Sequence, residues 1–153
     1  MKVLFLDIDG VLNDPEFIDN LHWDWHMSRE ERDLSMICKE RVALLNQLVP
    51  HFDTIVLSSD WRLTNGVRGV AGYLEEKGFT GELHPTATPD LYDVHSPHYR
   101  GYEVDAWLEE NAPGADYLCL DDSKLFREDQ SVFYTDHNKG LTQEDVDAIV
   151  RFR

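Results

Sequence analysis

The sequence predicts an α/β fold, a doubly wound parallel sheet, and three observations carry that prediction. Short apolar runs recur along the chain: Val3-Leu4-Phe5-Leu6, Thr54-Ile55-Val56-Leu57 and Tyr117-Leu118-Cys119-Leu120. None alternates apolar with polar residues, which is how strands covered by helices on both faces read. Segments of helical period lie between them, and such alternation gives parallel strands joined by right-handed crossovers. Finally, each run ends in polar residues: Asp7 and Asp9, then Ser58-Ser59-Asp60, then Asp121-Asp122-Ser123. Ligand sites of open α/β sheets lie beyond the carboxyl ends of the strands, where these residues fall.

The elements follow in order. Residues 3–6 form the first strand, which opens into Asp7-Ile8-Asp9-Gly10-Val11-Leu12. Residues 13–35 are polar and tryptophan-rich, around His22-Trp23-Asp24-Trp25-His26, and show no clear period; a flap is expected there. Over 36–49 the apolar positions Ile37, Val42, Leu45, Leu48 and Val49 keep near helical period, with Pro50 closing the helix. Residues 54–57 form the second strand. A shorter helix over 67–76 stops at Gly78. Residues 83–99, with three prolines and three histidines, read as a loop that sets selectivity. A helix over 103–111 puts Val104, Trp107 and Leu108 on one face and ends before Pro113-Gly114. Residues 117–120 form the third strand, and Val132-Phe133-Tyr134 adds an edge strand. Thr142-Gln143-Glu144-Asp145 resembles a capping box that opens the last helix.

At 153 residues the chain fits one domain, 1–153, and 42% hydrophobic with 29% charged residues is ordinary for a globular protein. No apolar run reaches the roughly 18 residues of a membrane span, and the N-terminus lacks a secretory signal. Cys38 and Cys119 sit among apolar neighbours and read as reduced, buried thiols, from which a cytoplasmic location is expected. Thirty acids against fourteen bases give a net charge of −16, which disfavours extended nucleic-acid binding.

Asp7 and Asp9 leave the same strand end, and carboxylates crowded there repel each other unless a cation or a shared proton intervenes. A metal site, a proton-transfer site, or both, is expected.

Asp7-Ile8-Asp9-Gly10-Val11-Leu12, Leu57-Ser58-Ser59 and Leu120-Asp121-Asp122 are similar, in order and strand context, to the signature motifs of the haloacid dehalogenase (HAD) superfamily of phosphotransferases. The surrounding residues resemble small stand-alone members, in particular the HAD domain related to Swiss Army knife RNA-repair proteins. They are Ser58-Ser59-Asp60-Trp61-Arg62, Arg100-Gly101-Tyr102-Glu103-Val104 with Trp107-Leu108, and Thr135-Asp136 with Gly140-Leu141-Thr142. The resemblance implies a Rossmann-like HAD fold with a minimal cap, and a Mg²⁺-dependent phosphatase. It makes Asp7 the nucleophile that forms an acyl-phosphate, and Asp9 the acid that protonates the leaving oxygen and then activates water. It also assigns Mg²⁺ to Asp7, the Asp9 backbone carbonyl and Asp122, with Asp121 beside them or one shell out. Ser58, with the Ser59 amide, is implied to hold the phosphoryl oxygens. A basic residue must balance the charge; Arg100 is the first choice, with Arg62 and Lys124 as rivals, because arginine can grip phosphate bidentately. An acid at Asp9 fits the phosphatase and phosphomutase branches, and the short 13–35 insert speaks against a mutase. The implied partner is a small phosphate ester or nucleotide, or a nucleic-acid end, away from membranes.

Other residues point less sharply. His22 and His26, four apart, could share a helical face toward metal but lack a third ligand. His84, His95 and His98 could touch substrate, and Trp23, Trp25, Trp61 or Tyr99 could stack on a ring; packing and ordinary loop positions are the plainer readings. A phosphoacceptor signalling module would need Asp60 as its acceptor, which leaves Asp121-Asp122 without a purpose. A catalytically silent phosphate-binding module is the remaining alternative.

Overall fold

The computed structural model describes residues 1–152. Four parallel strands form one sheet: β1 (Lys2–Leu6), β2 (Thr54–Leu57), β3 (Asp116–Asp121) and β4 (Val132–Tyr134), in the order β2-β1-β3-β4. Six helices accompany them: α1 (Pro15–Asp19), α2 (Arg29–Ser35), α3 (Lys39–Asn46), α4 (Trp61–Glu76), α5 (Tyr99–Asn111) and α6 (Gln143–Arg151). The chain runs from β1 outward to β2, then returns across the sheet to β3. That reversal places the topological switch point, where such sheets hold ligands, between β1 and β3.

Period-two alternation divides the strands between two cores. Leu4, Leu6, Ile55, Leu57, Leu118 and Leu120 face Val42 and Leu45 of α3, Val70 and Leu74 of α4, and Val146 and Ile149 of α6. Val3, Phe5, Val56 and Cys119 face Val104 and Trp107 of α5, with Phe126. Phe5 meets Trp107 edge-on with centroids 5.4 Å apart. Burial on both faces explains why these strands read as unbroken apolar runs. The register pairs Leu6 with Leu57 and with Leu120. Asp7, Ser58 and Asp121, the next residue in each case, therefore come side by side at the carboxyl end of the sheet.

Several boundaries differ from the apolar reading. Lys2, Asp116 and Asp121 belong to strands because backbone pairing continues past the apolar residues. The helix expected over 36–49 is α3 plus a separate 3-10 turn at Val49–His51; Pro50 sits within that turn, where no intrahelical amide is needed. Helix α4 starts at Trp61, six residues before 67. It is broken at Gly66, whose φ of 67° and ψ of 171° are not helical. Helix α5 starts at Tyr99, which brings Arg100 into its first turn. The capping box at Thr142 and Asp145 is formed.

The 13–35 segment, read as without clear period, holds two short helices. Asp14 caps α1 by accepting from Phe17 N, with Pro15 at the first helical position, and Ser28 caps α2 by accepting from Glu31 N. Residues 83–99 begin by covering the open edge of β2: His84 N donates to Ile55 O (2.7 Å) and Thr88 N to Leu57 O (3.2 Å). Cys38 and Cys119 are buried free thiols. Among the described residues no helix is long and apolar enough to cross a membrane.

Candidate active site

Asp7 continues β1 by one hydrogen bond, its N–H donating to Leu120 O at 3.1 Å. Its side chain is buried beside Asp121 at the end of β3. Asp122 comes in from the next residue, across Gly10. Gly10 has a φ of 76°, and a Cβ there would fall on the Asp122 carboxylate, so only glycine serves. Thr135 fixes the turn by donating from Oγ1 to Gly10 O at 2.7 Å. One oxygen each from Asp7, Asp121 and Asp122 lies within 4.8 Å of the others.

Arg100 reaches this group from α5. Its Nη1 lies 3.3 Å from Asp7 Oδ1 and 3.2 Å from Asp121 Oδ2, and its Nη2 lies 3.1 Å from Asp60 Oδ1. One cation facing three acids leaves the site under-compensated. Burial, then the Asp121 charge, pushes the Asp7 carboxyl well above the usual range although Arg100 pulls it down. Burial likewise raises Asp121, against the pull of Arg100 and the Ser123 amide. For Arg100, burial opposes the charge, but Asp7 and Asp121 outweigh it and keep the guanidinium protonated. Hard carboxylate oxygens with net negative charge are the donor set that Mg²⁺ takes.

A cavity of about 250 Å³ opens over the cluster; its walls include Asp7, Asp9, Ser59, Arg100, Asp122 and His137. Asp9 is exposed and stands apart from the three carboxylates. Its Oδ1 accepts from Asn13 Nδ2 (3.1 Å) and its Oδ2 from Trp61 Nε1 (3.2 Å). Asn13 is itself anchored, accepting from Gly10 N at 3.0 Å and donating to Met36 O at 3.1 Å. Ser58, next to Leu57 at the end of β2, is buried, and its hydroxyl finds no hydrogen-bond partner among the described residues. A buried hydroxyl without a partner is costly unless a ligand satisfies it. Ser59 Oγ accepts from Trp61 N at 3.2 Å and so helps start α4.

The three candidate cations separate cleanly. Arg62 is buried but turned toward the 83–99 loop. Its Nε donates to Thr88 O (2.7 Å), its Nη2 to Pro89 O (3.0 Å), and its Nη2 pairs with Glu103 Oε2 at 3.1 Å. Lys124 sits 4.2 Å above the Tyr134 ring. Arg100 is the one against Asp7.

Of the aromatics, Tyr99 lines the cavity and Trp61 holds Asp9, whereas Trp23 donates to Ser35 Oγ (3.0 Å) and Trp25 is exposed. Asp7, Asp121 and Asp122 form the one group of three or more metal-ligating side chains among the described residues, and His22 and His26 join no such group. His84 packs edge-on to Trp107 at 5.0 Å, and neither His95 nor His98 lines the cavity. The residue that sequence reasoning missed is His137, whose Nδ1 lies 2.6 Å from Asp122 Oδ2. It sits in the turn after Thr135-Asp136, and no spacing rule connects it with an acid fifteen positions earlier.

A sequence profile described as the HAD domain in Swiss Army Knife RNA repair proteins matches residues 3–146. The chain belongs to this family. The matched span runs from Val3 in β1 to Val146 in α6. No curated protein and no solved structure matches it significantly.

Proposed function

We propose that this HAD domain is a Mg²⁺-dependent phosphomonoesterase that works through a phosphoaspartate on Asp7. Its substrate is a nucleotide or a nucleic-acid phosphate terminus. The observation that carries the proposal is the trio of buried Asp7 and Asp121 with half-buried Asp122 at the sheet switch point, with one arginine bridging two of its members. The residues fit the metal: Asp7 and Asp122 would hold it directly, with Asp121 beside them and the Asp9 carbonyl completing the protein's share. Bound Mg²⁺ supplies the positive charge that lets an anionic nucleophile approach a phosphate dianion.

The side chains then divide the work. Arg100 and the unpartnered Ser58 hydroxyl grip the phosphoryl oxygens. An Asp7 carboxylate oxygen forms a bond to phosphorus as the ester P–O bond breaks, and Asp9 gives its proton to the departing oxygen. Water next attacks the phosphorus, Asp9 takes the water's proton, and the Asp7–phosphorus bond breaks to release inorganic phosphate.

Turnover of p-nitrophenyl phosphate with Mg²⁺, lost with a chelator and in Asp7→Asn, is the expected result. Wild-type turnover that persists in Asp7→Asn would overturn the mechanism. Failure on every phosphate ester despite metal binding would favour the silent phosphate-binding module.

A further inference from the structure

A second cavity, of about 270 Å³, opens next to the first, between α2 and the start of α4. Asp60 belongs to both walls. Trp61 also forms part of the second wall, and its Nε1–H is the donor that holds Asp9 Oδ2. The second cavity therefore lies on the Asp9 side of the first. In a reaction where Asp7 takes the phosphoryl group and Asp9 protonates the departing oxygen, the leaving group extends toward that side. We propose that this cavity seats the base of a nucleoside monophosphate. The inference rests on the roles given above to Asp7 and Asp9.

Its lining has the two-sided chemistry a nucleobase requires. Trp61 and Met36 offer apolar surface for a flat ring, while Thr64, Asp33 and Arg29 supply polar groups for its edge. Arg29 is held in place, its Nη1 3.1 Å from Asn65 Oδ1 and 3.5 Å from Asp33 Oδ2. The Asp33 carboxylate can accept from a ring amino group. The volume falls below the roughly 300 Å³ at which drug-sized sites begin, so one ring system fits and a stack of them does not. Charge selects further: Asp33 and Asp60 outnumber Arg29, on a chain of net charge −16. A second backbone phosphate would be repelled here, so a mononucleotide is preferred to the end of an oligonucleotide.

The test compares nucleoside monophosphates, a phosphorylated pentanucleotide and ribose 5-phosphate, a monoester with the same kind of leaving oxygen but no base. Mononucleotides should exceed both of the others in kcat/KM by about fivefold or more, the lower range of base stacking on an aromatic side chain. Thr64 is exposed in the first turn of α4, so Thr64→Trp should fill the cavity without disturbing the core. It should remove most of the mononucleotide advantage over ribose 5-phosphate, through KM. Asp33→Asn should change the ranking among the four bases. Calorimetric titration of free nucleosides should detect binding to the wild type that Thr64→Trp loses, and this readout needs no turnover. Equal rates on the pentanucleotide, or nucleoside binding unaltered in Thr64→Trp, would overturn the inference. Lack of turnover with retained nucleoside binding would instead overturn only the proposed phosphatase chemistry.

Discussion

Two buried arginines at the carboxyl ends of the strands face opposite duties. Arg62 pairs closely with one buried carboxylate, Glu103, lies 3.6 Å from the exposed Asp60, and directs its remaining donors to the backbone carbonyls of Ser59, Thr88 and Pro89. Its charge is matched and its geometry closed, and it ties the 83–99 loop to the start of α4. Arg100 instead faces Asp7, Asp121 and Asp60 together, with Asp122 close by, and its Nε finds no partner among the described residues. The first arrangement is a structural brace. The second carries more negative charge than its one cation offsets, and local rules are broken in this way where a ligand is to complete the set.

Removing one member from each region should separate these duties. Asp7→Asn is expected to lower turnover by more than about 10³-fold, as loss of a covalent nucleophile does, while the thermal midpoint holds or rises because the cluster loses a repelling charge. Arg62→Ala should do the reverse. It strands the buried Glu103 carboxylate, whose pKa burial already raises against the pull of the Leu91 amide and Arg62. A loss of about 3–5 kcal/mol in denaturant unfolding is expected. If Asp7→Asn proved the more destabilising of the two, the contrast would be wrong.

Metal and pH sharpen the same contrast. Asp7 and Asp121 titrate above the ordinary value of 3.8 in the folded protein. Over that window the folded state holds more protons than the unfolded chain, so stability of the metal-free protein falls as pH rises through the raised folded values. Mg²⁺ should reverse the fall at about pH 7, where a concentration of about 100 times Kd contributes about 2.7 kcal/mol, and should do little near pH 4. Asp121→Asn should flatten the pH slope and shrink the Mg²⁺ effect. A Mg²⁺ effect equal at both pH values would show that the cation binds elsewhere. Ser58→Ala should be close to neutral in stability, since its hydroxyl lacks a partner, yet weaken competitive inhibition by inorganic phosphate several-fold.

The sheet and the polar carboxyl ends of its strands were legible from sequence because strands buried on both faces need continuous apolar residues, and turns at their ends need polar ones. The acids and Ser58-Ser59 stood out by their place at the strand ends, and the resemblance to the HAD motifs supplied their expected roles. Helix starts were harder to see. Trp61 and Arg62 begin α4 although Gly66 interrupts it, and the capping signals of Asp14-Pro15 and of Ser28 with Glu31 were hidden in a segment without period. The choice among Arg62, Arg100 and Lys124 was beyond composition, because which guanidinium meets Asp7 depends on how α5 crosses the sheet. His137 reaches Asp122 through tertiary folding, which no local pattern encodes.

Asp60 joins the two regions and gives the smallest expected effect. Its Oδ1 lies 3.1 Å from Arg100 Nη2 and 3.6 Å from Arg62 Nη1, while its side chain stays 66% exposed. An ion pair so open to water contributes little to folding, so Asp60→Asn should move unfolding by no more than about 1 kcal/mol. Its effect on binding should be the opposite of a loss. Asp60 competes with phosphate for the same face of Arg100, and removing its charge should lower the inhibition constant for inorganic phosphate at low ionic strength, with the gain fading as salt is added. Weaker phosphate inhibition in Asp60→Asn would mean that Asp60 holds Arg100 in its working position, and the under-compensated region would then include the brace's nearest neighbour.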